Sequence, residues 1–124
     1  MLRKELKIYV KYYSKVVRAI KEDRREITIG RYGQKKTLVF PEWTKRLEEY
    51  IQEILMGESS LVAQKIINES VIKGKADWKV MLDVSVSESS YYRVKRTIIE
   101  RIYELYISEG LVTREEILQE SVLI

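Results

Sequence analysis

Ser89, Arg93 and Arg96 follow one another at steps of four and three, the spacing that gathers three side chains on one face of a helix. Their chemistry suits nucleic acid: an arginine fork pairs with O6 and N7 of guanine, and a serine hydroxyl can bond several base edges. With Ser90 and Thr97 beside them they form the candidate base-contacting set. Lys73, Lys75, Lys79 and Lys95, with Ser87 and Tyr92, are better suited to phosphates, which position a module without reading sequence. A forked arginine is worth about 1 to 3 kcal/mol of discrimination, so Arg93 leads the set. The competing account is a solvated surface, because basic residues on the outward face of an amphipathic helix usually contact only water.

These residues lie in "VSVSESSYYRVKRTIIERIYELY", Val84 to Tyr106, which is polar and basic at its front and apolar behind. At about 100° per residue, Tyr91, Val94, Ile98, Ile102 and Leu105 share a narrow stripe opposite the arginines, which makes that stripe the core face. Ser87 can cap this helix through the N–H of Ser89 or Ser90. A shorter helix, about Asp77 to Leu82, precedes it with Trp78, Met81 and Leu82 as apolar contacts, so the layout is a helix-turn-helix. In that motif the first two turns of the second helix enter the major groove. Glu100 and Glu104 follow where a groove-bound helix is already leaving the duplex.

Tyr92, Ile99, Tyr103 and Tyr106 form a second apolar stripe beside the first, and a helix apolar on two faces needs two partners. The candidate is an N-terminal helix over about residues 2 to 26, in which Leu2, Leu6, Tyr9, Tyr13, Val16 and Ile20 alternate steps of four and three. It could belong to the same chain or to a second copy. In the second case Ile99, Tyr103, Tyr106, Tyr9 and Tyr13 would be the surface of a homodimer.

Between these ends, "TIGRYGQKKTLVFPEW" has the alternation of a short hairpin around Ile27, Ile29, Leu38 and Phe40, an irregular loop being nearly as good an account. Gly30, Lys36 and Thr37 imitate a phosphate-binding loop, but Lys35 stands where that loop needs glycine. Pro41 suits a first helical turn, and Trp43, Leu47, Tyr50, Ile51, Ile54 and Leu55 mark a helix ending at Gly57. Ser59 or Ser60 can cap the next, which carries Leu61, Val62, Ile66, Ile67 and Val71 and ends near Gly74. Gly110 stops the long helix, and Thr113 with Glu116 makes a capping box for a last helix over about 114 to 120, followed by "SVLI", which could pack or fray.

Composition narrows the chemistry. The chain of 124 residues has neither cysteine nor histidine, which excludes disulfides, Cys/His zinc sites, thiol nucleophiles and Ser-His catalysis. The adjacent pairs Glu48/Glu49 and Glu115/Glu116 point different ways along their helices and are poor acid-base partners. No enzyme activity, cofactor or metal is expected. Nor is a membrane span or signal peptide, which makes the expected location cytoplasmic. A net charge of +4 admits an anionic partner without requiring one.

The run from Trp78 to Leu105, with Ser87, Ser89, Tyr92, Arg93, Lys95, Arg96, Ile98, Ile99, Arg101 and Ile102 at matching places, resembles the C-terminal module of the ArpU and RinA type of phage late-gene transcription regulators, LtrC relatives included. The similarity covers about Ser59 to Gly110; upstream it is one of layout, and the "GRYGQKKT" loop and Glu100 depart from the pattern. The resemblance implies a helix-turn-helix similar to region 4 of sigma factors. It also implies an activator that binds duplex DNA upstream of packaging, structural or lysis genes and helps host RNA polymerase to start.

The expected fold is all-α: a long N-terminal helix plus a C-terminal helix-turn-helix bundle, with one short β-hairpin at about 28–40 as an option. Residues 1–57 would form the N-terminal region with its basic loop at 28–41, and 58–124 the helix-turn-helix domain. The expected function is sequence-specific binding of double-stranded DNA in transcription. Two alternatives are a protein-interaction module for polymerase or another regulator, and a DNA-recognition subunit of a packaging machine.

Overall fold

The computed structural model describes residues 1–123 and is mostly helical, with one two-stranded hairpin. The N-terminal helix is two helices, α1 (Arg3–Lys11) and α2 (Tyr13–Lys21), broken at Tyr12, whose backbone sits at φ −104°, ψ 22°. Hydrogen bonding continues on both sides of the break, from Tyr12 N to Ile8 O at 3.2 Å and from Val16 N to Tyr12 O at 3.0 Å. Helix α2 stops at Lys21, five residues before the expected end. Asp23 takes the left-handed conformation (φ 60°), so that Arg24 N donates to Ala19 O at 2.8 Å and Asp23 N to Ile20 O at 3.0 Å. These two bonds are those of a Schellman ending, which usually advertises itself by a glycine.

Strands β1 (Glu26–Ile29) and β2 (Lys36–Val39) pair antiparallel, with Ile27 opposite Leu38. Ile27, Ile29 and Leu38 are buried, so the hairpin covers the core with one face. Gly30 turns the chain at φ 104°, where a Cβ would lie 2.4 Å from Gln34 O; no other residue fits without moving the loop.

Pro41 lies just outside a 3₁₀ turn (Glu42–Arg46) rather than inside a helix, and that turn leads into α3 (Leu47–Gly57). Helix α4 (Leu61–Ile66) is capped by Ser60, whose hydroxyl accepts from Ala63 N at 3.2 Å, and continues as a π-helical segment (Ile67–Ile72). The wider turn brings Ile66, Ile67, Ser70 and Val71 to the inside, while Leu61 and Val62, expected on the apolar face, are exposed. Helices α5 (Asp77–Val84), α6 (Glu88–Ser108) and α7 (Arg114–Leu123) complete the chain. Helix α7 outruns the expected 114–120 and takes in three of the four "SVLI" residues; the placement of Ile124 lies outside the described residues. Thr113 and Glu116 exchange both bonds of the capping box, at 3.0 and 3.1 Å.

Helix α6 belongs to two apolar clusters. Its front packs Tyr91 with Ile66 of α4 and Val80 of α5. Its rear packs Ile98, Ile99, Ile102, Tyr103 and Tyr106 with α1 to α3 and the hairpin, so residues on both sides of position 57 share the larger core. The second stripe therefore has its partner within the same chain. Ile99, Tyr103, Tyr106, Tyr9 and Tyr13 are all buried, so of the two partners considered for that stripe the structure has the one in the same chain, and these five residues are not free to form a dimer surface.

Candidate nucleic-acid interface

The turn between α5 and α6 is three residues long. Ser85 ends α5 in the left-handed conformation (φ 52°, ψ 44°), a position that costs a non-glycine residue roughly 1 to 2 kcal/mol. Ser87 then caps α6 with an extended backbone, its Oγ accepting from Ser90 N at 3.2 Å. Ser87 also donates to Ser90 Oγ at 2.9 Å.

What fixes α5 against α6 is a carboxylate that no local pattern reveals. Asp77, in the first turn of α5, receives hydrogen bonds on Oδ1 from the Tyr91 hydroxyl (2.5 Å), Lys95 Nζ (2.9 Å) and Ser70 Oγ (3.2 Å). One oxygen thus joins the π-helical segment, α5 and α6. Burial alone would raise the Asp77 pKa, but Tyr91 and Lys95 outweigh it and hold the carboxyl below its usual range. Tyr91 is pushed upward, first by burial and then by its bond to Asp77.

Helix α5 meets this assembly through Val80, with Met81 and Val84 half-buried beside it. The expected contacts Trp78 and Leu82 lie on the other side of the helix, 60% and 72% exposed. The amphipathic face was misassigned because Val80 is the single large apolar residue that the short helix buries completely.

Ser89, Arg93, Arg96 and Thr97 are all exposed along the front of α6. Among the described residues neither Arg93 nor Arg96 has a carboxylate partner. Thr97 Oγ1 donates back to Arg93 O at 3.0 Å, which leaves its lone pairs outward. Ser90 departs from expectation: it is half-buried and tied to Ser87, so it serves the cap rather than a base.

The phosphate set changes more. Lys73 and Lys75 both pair with Glu69, at 3.0 and 2.5 Å, and Lys95 is held by Asp77. Lys95 is thus committed to an internal pair, whereas Lys73 and Lys75 stay exposed and share a single carboxylate, which leaves one net positive charge between them. Lys79 stays exposed, 5.4 Å from the centre of the Trp78 ring, as cation–π geometry requires. Ser87 is occupied by the cap, and Tyr92 stands half-buried, edge-on to Tyr91 at 5.2 Å.

Glu100, the acidic departure on the outward face, is met by Arg3 of α1, whose Nε lies 2.8 Å from Oε1 and 3.1 Å from Oε2. Arg3 also reaches Glu120 at 3.3 Å and lies over the Tyr103 ring at 4.3 Å. Arg3 thereby reduces the repulsion that the Glu100 carboxylate would exert on a nearby phosphate. Arg101 on the adjoining flank pairs with Glu58 at 2.8 Å.

Among the described residues no group of acidic, histidine or cysteine side chains could hold a metal, and no helix is long and apolar enough to cross a membrane. No protein-family model, curated protein or solved structure matches the chain.

Proposed function

We propose that this chain is a sequence-specific duplex-DNA-binding regulator of transcription that inserts the front of α6 into the major groove. The observation that carries this reading is the exposed row of Ser89, Arg93 and Arg96, both arginines free of carboxylates, on a helix capped by Ser87 and braced by Asp77. Free guanidinium groups at the inserted end are what reading guanine requires. The resemblance to ArpU- and RinA-type regulators adds the setting: activation of phage late genes together with host RNA polymerase, in the cytoplasm.

A second reading, docking on another protein, has one observation in its favour. Trp78 and Leu82 are one helical turn apart on α5 and both exposed, a small apolar patch of the kind that binds partners.

Selection of bound fragments from a random duplex pool separates the two. The DNA reading predicts enrichment of a short motif containing guanine, with affinity falling steeply as salt rises. Recovery of the pool without enrichment and without salt dependence would leave the docking reading in its place.

A further inference from the structure

Lys4, Lys7, Lys11, Lys15 and Arg18 follow at steps of three, four, four and three, and all five are exposed. They make one basic row along α1 and α2, opposite the buried Leu6, Tyr13 and Val16. None of the five has a carboxylate within salt-bridge distance among the described residues. Around α6, by contrast, Arg3, Lys95 and Arg101 each have a carboxylate partner, and Lys73 and Lys75 share Glu69.

This row borders the candidate groove-reading face. Helix α1 runs antiparallel to α6, with Arg3 on Glu100 and Lys7 facing Arg96 and Ile99. Lys7, Lys11 and Arg96 stand around a hollow of about 570 Å³, with Val10, Ile98 and Ile99 also in its lining. The one carboxylate there, Asp77, is committed to Lys95. A smaller hollow of about 410 Å³ next to it again has Lys7 and Arg96, together with Arg93. Of its two acids, Glu100 is paired with Arg3, whereas Glu104 has no ion-pair partner among the described residues. An anion is therefore favoured toward the Lys11 end and disfavoured toward Glu104.

We infer that α1 and α2 are part of the DNA interface, with Lys7 and Lys11 binding the phosphate backbone that walls the groove entered by α6. The inference rests on the DNA reading and extends it from base contacts to backbone contacts. Lys7, Lys11 and Arg96 repel one another around the first hollow, where the single carboxylate, Asp77, already faces Lys95; a phosphate would relieve that repulsion. The length of the row favours a polyanion over a small one. From Lys4 to Arg18 it spans roughly 21 Å at 1.5 Å per helical residue, long enough to run past several backbone phosphates. A backbone beside α6 would thus meet the lysines of α1 while Arg93 and Arg96 meet bases.

The test is the salt dependence of affinity for a selected duplex, measured for the wild-type chain, for Lys7→Ala with Lys11→Ala, and for Arg31→Ala with Lys35→Ala in the hairpin loop. Circular dichroism checks that each variant is folded; all four positions are exposed. The expected result is a slope of log K against log salt shallower by about two for the α1 variant, with the preferred sequence unchanged and the hairpin variant like wild type. Equal changes in both variants would reduce the effect to net charge and overturn the inference. An unchanged slope in the α1 variant would overturn it too, while leaving groove reading by α6 intact. Absence of DNA binding by the wild-type chain would remove both.

Discussion

Tyr106→Ala is expected to lower the free energy of unfolding by about 3 to 5 kcal/mol, the range for removing a large buried aromatic ring. Tyr106 is fully buried at the rear of α6 and meets Tyr50 edge-on at 4.6 Å and Trp43 at 5.6 Å. Its hydroxyl donates to Trp43 O at 2.7 Å, which anchors the 3₁₀ turn before α3. Truncation would open a cavity where α3, α6 and that turn converge, and would leave the Trp43 carbonyl without this donor. Because a domain of this size has only about 5 to 15 kcal/mol in total, the variant should lose a large share of its stability. Tyr106→Phe keeps the ring and should cost only about 1 kcal/mol. Urea midpoints followed by circular dichroism give both values; equal midpoints for Tyr106→Ala and wild type would contradict this account of the core.

Asp77→Ala should cost about 2 to 3 kcal/mol near neutral pH, since it takes the carboxylate acceptor from the Tyr91 hydroxyl, which keeps only Ser70 beside it, and unpairs Lys95, which can still turn toward water. The loss should depend on pH in a defined direction. Asp77 has a lowered pKa in the folded chain, so its contribution is complete above the ordinary aspartate value near 3.9 and disappears as pH falls through the lower folded value. The stability gap between wild type and Asp77→Ala should therefore be widest above the ordinary aspartate range and narrow as pH falls through the lowered folded value. A gap independent of pH would mean that Asp77 acts by packing and not by charge. Since Asp77 sets α5 against α6, the variant should also bind DNA more weakly even where it is fully folded.

Much of this fold was legible because local rules agree with it. Ser60 and Ser87 cap their helices, Thr113 and Glu116 form their box, and Tyr91, Ile98 and Ile102 sit in the core where the 3.6-residue period puts them. What escaped was chemistry without a local signature. The end of α2 is made by Asp23 in a conformation usually left to glycine, and the break at Tyr12 interrupts an apolar seam that continues across it. Two apolar stripes on α6 correctly required two partners, but periodicity is silent on whether the second belongs to the same chain. In the candidate site, the Arg93 and Arg96 face and the i,i+4 pair of Glu69 with Lys73 follow helical spacing, whereas the pairing of Lys95 does not. Lys95 and Asp77 are eighteen residues apart, and a salt bridge across that separation is set by the tertiary fold. The basic row on α1 and α2 was present as a spacing; its meaning came from lying beside α6.

The central claim is that the front of α6 reads bases, and Arg93 tests it most directly. Wild type and Arg93→Ala would be titrated against the selected duplex and against duplexes substituted at each guanine in turn, at fixed salt. The account predicts that Arg93→Ala weakens binding by about ten- to a hundredfold, within the 1 to 3 kcal/mol of a forked arginine, and that discrimination at one guanine disappears while the others keep theirs. Unchanged affinity and unchanged preference in Arg93→Ala would contradict it.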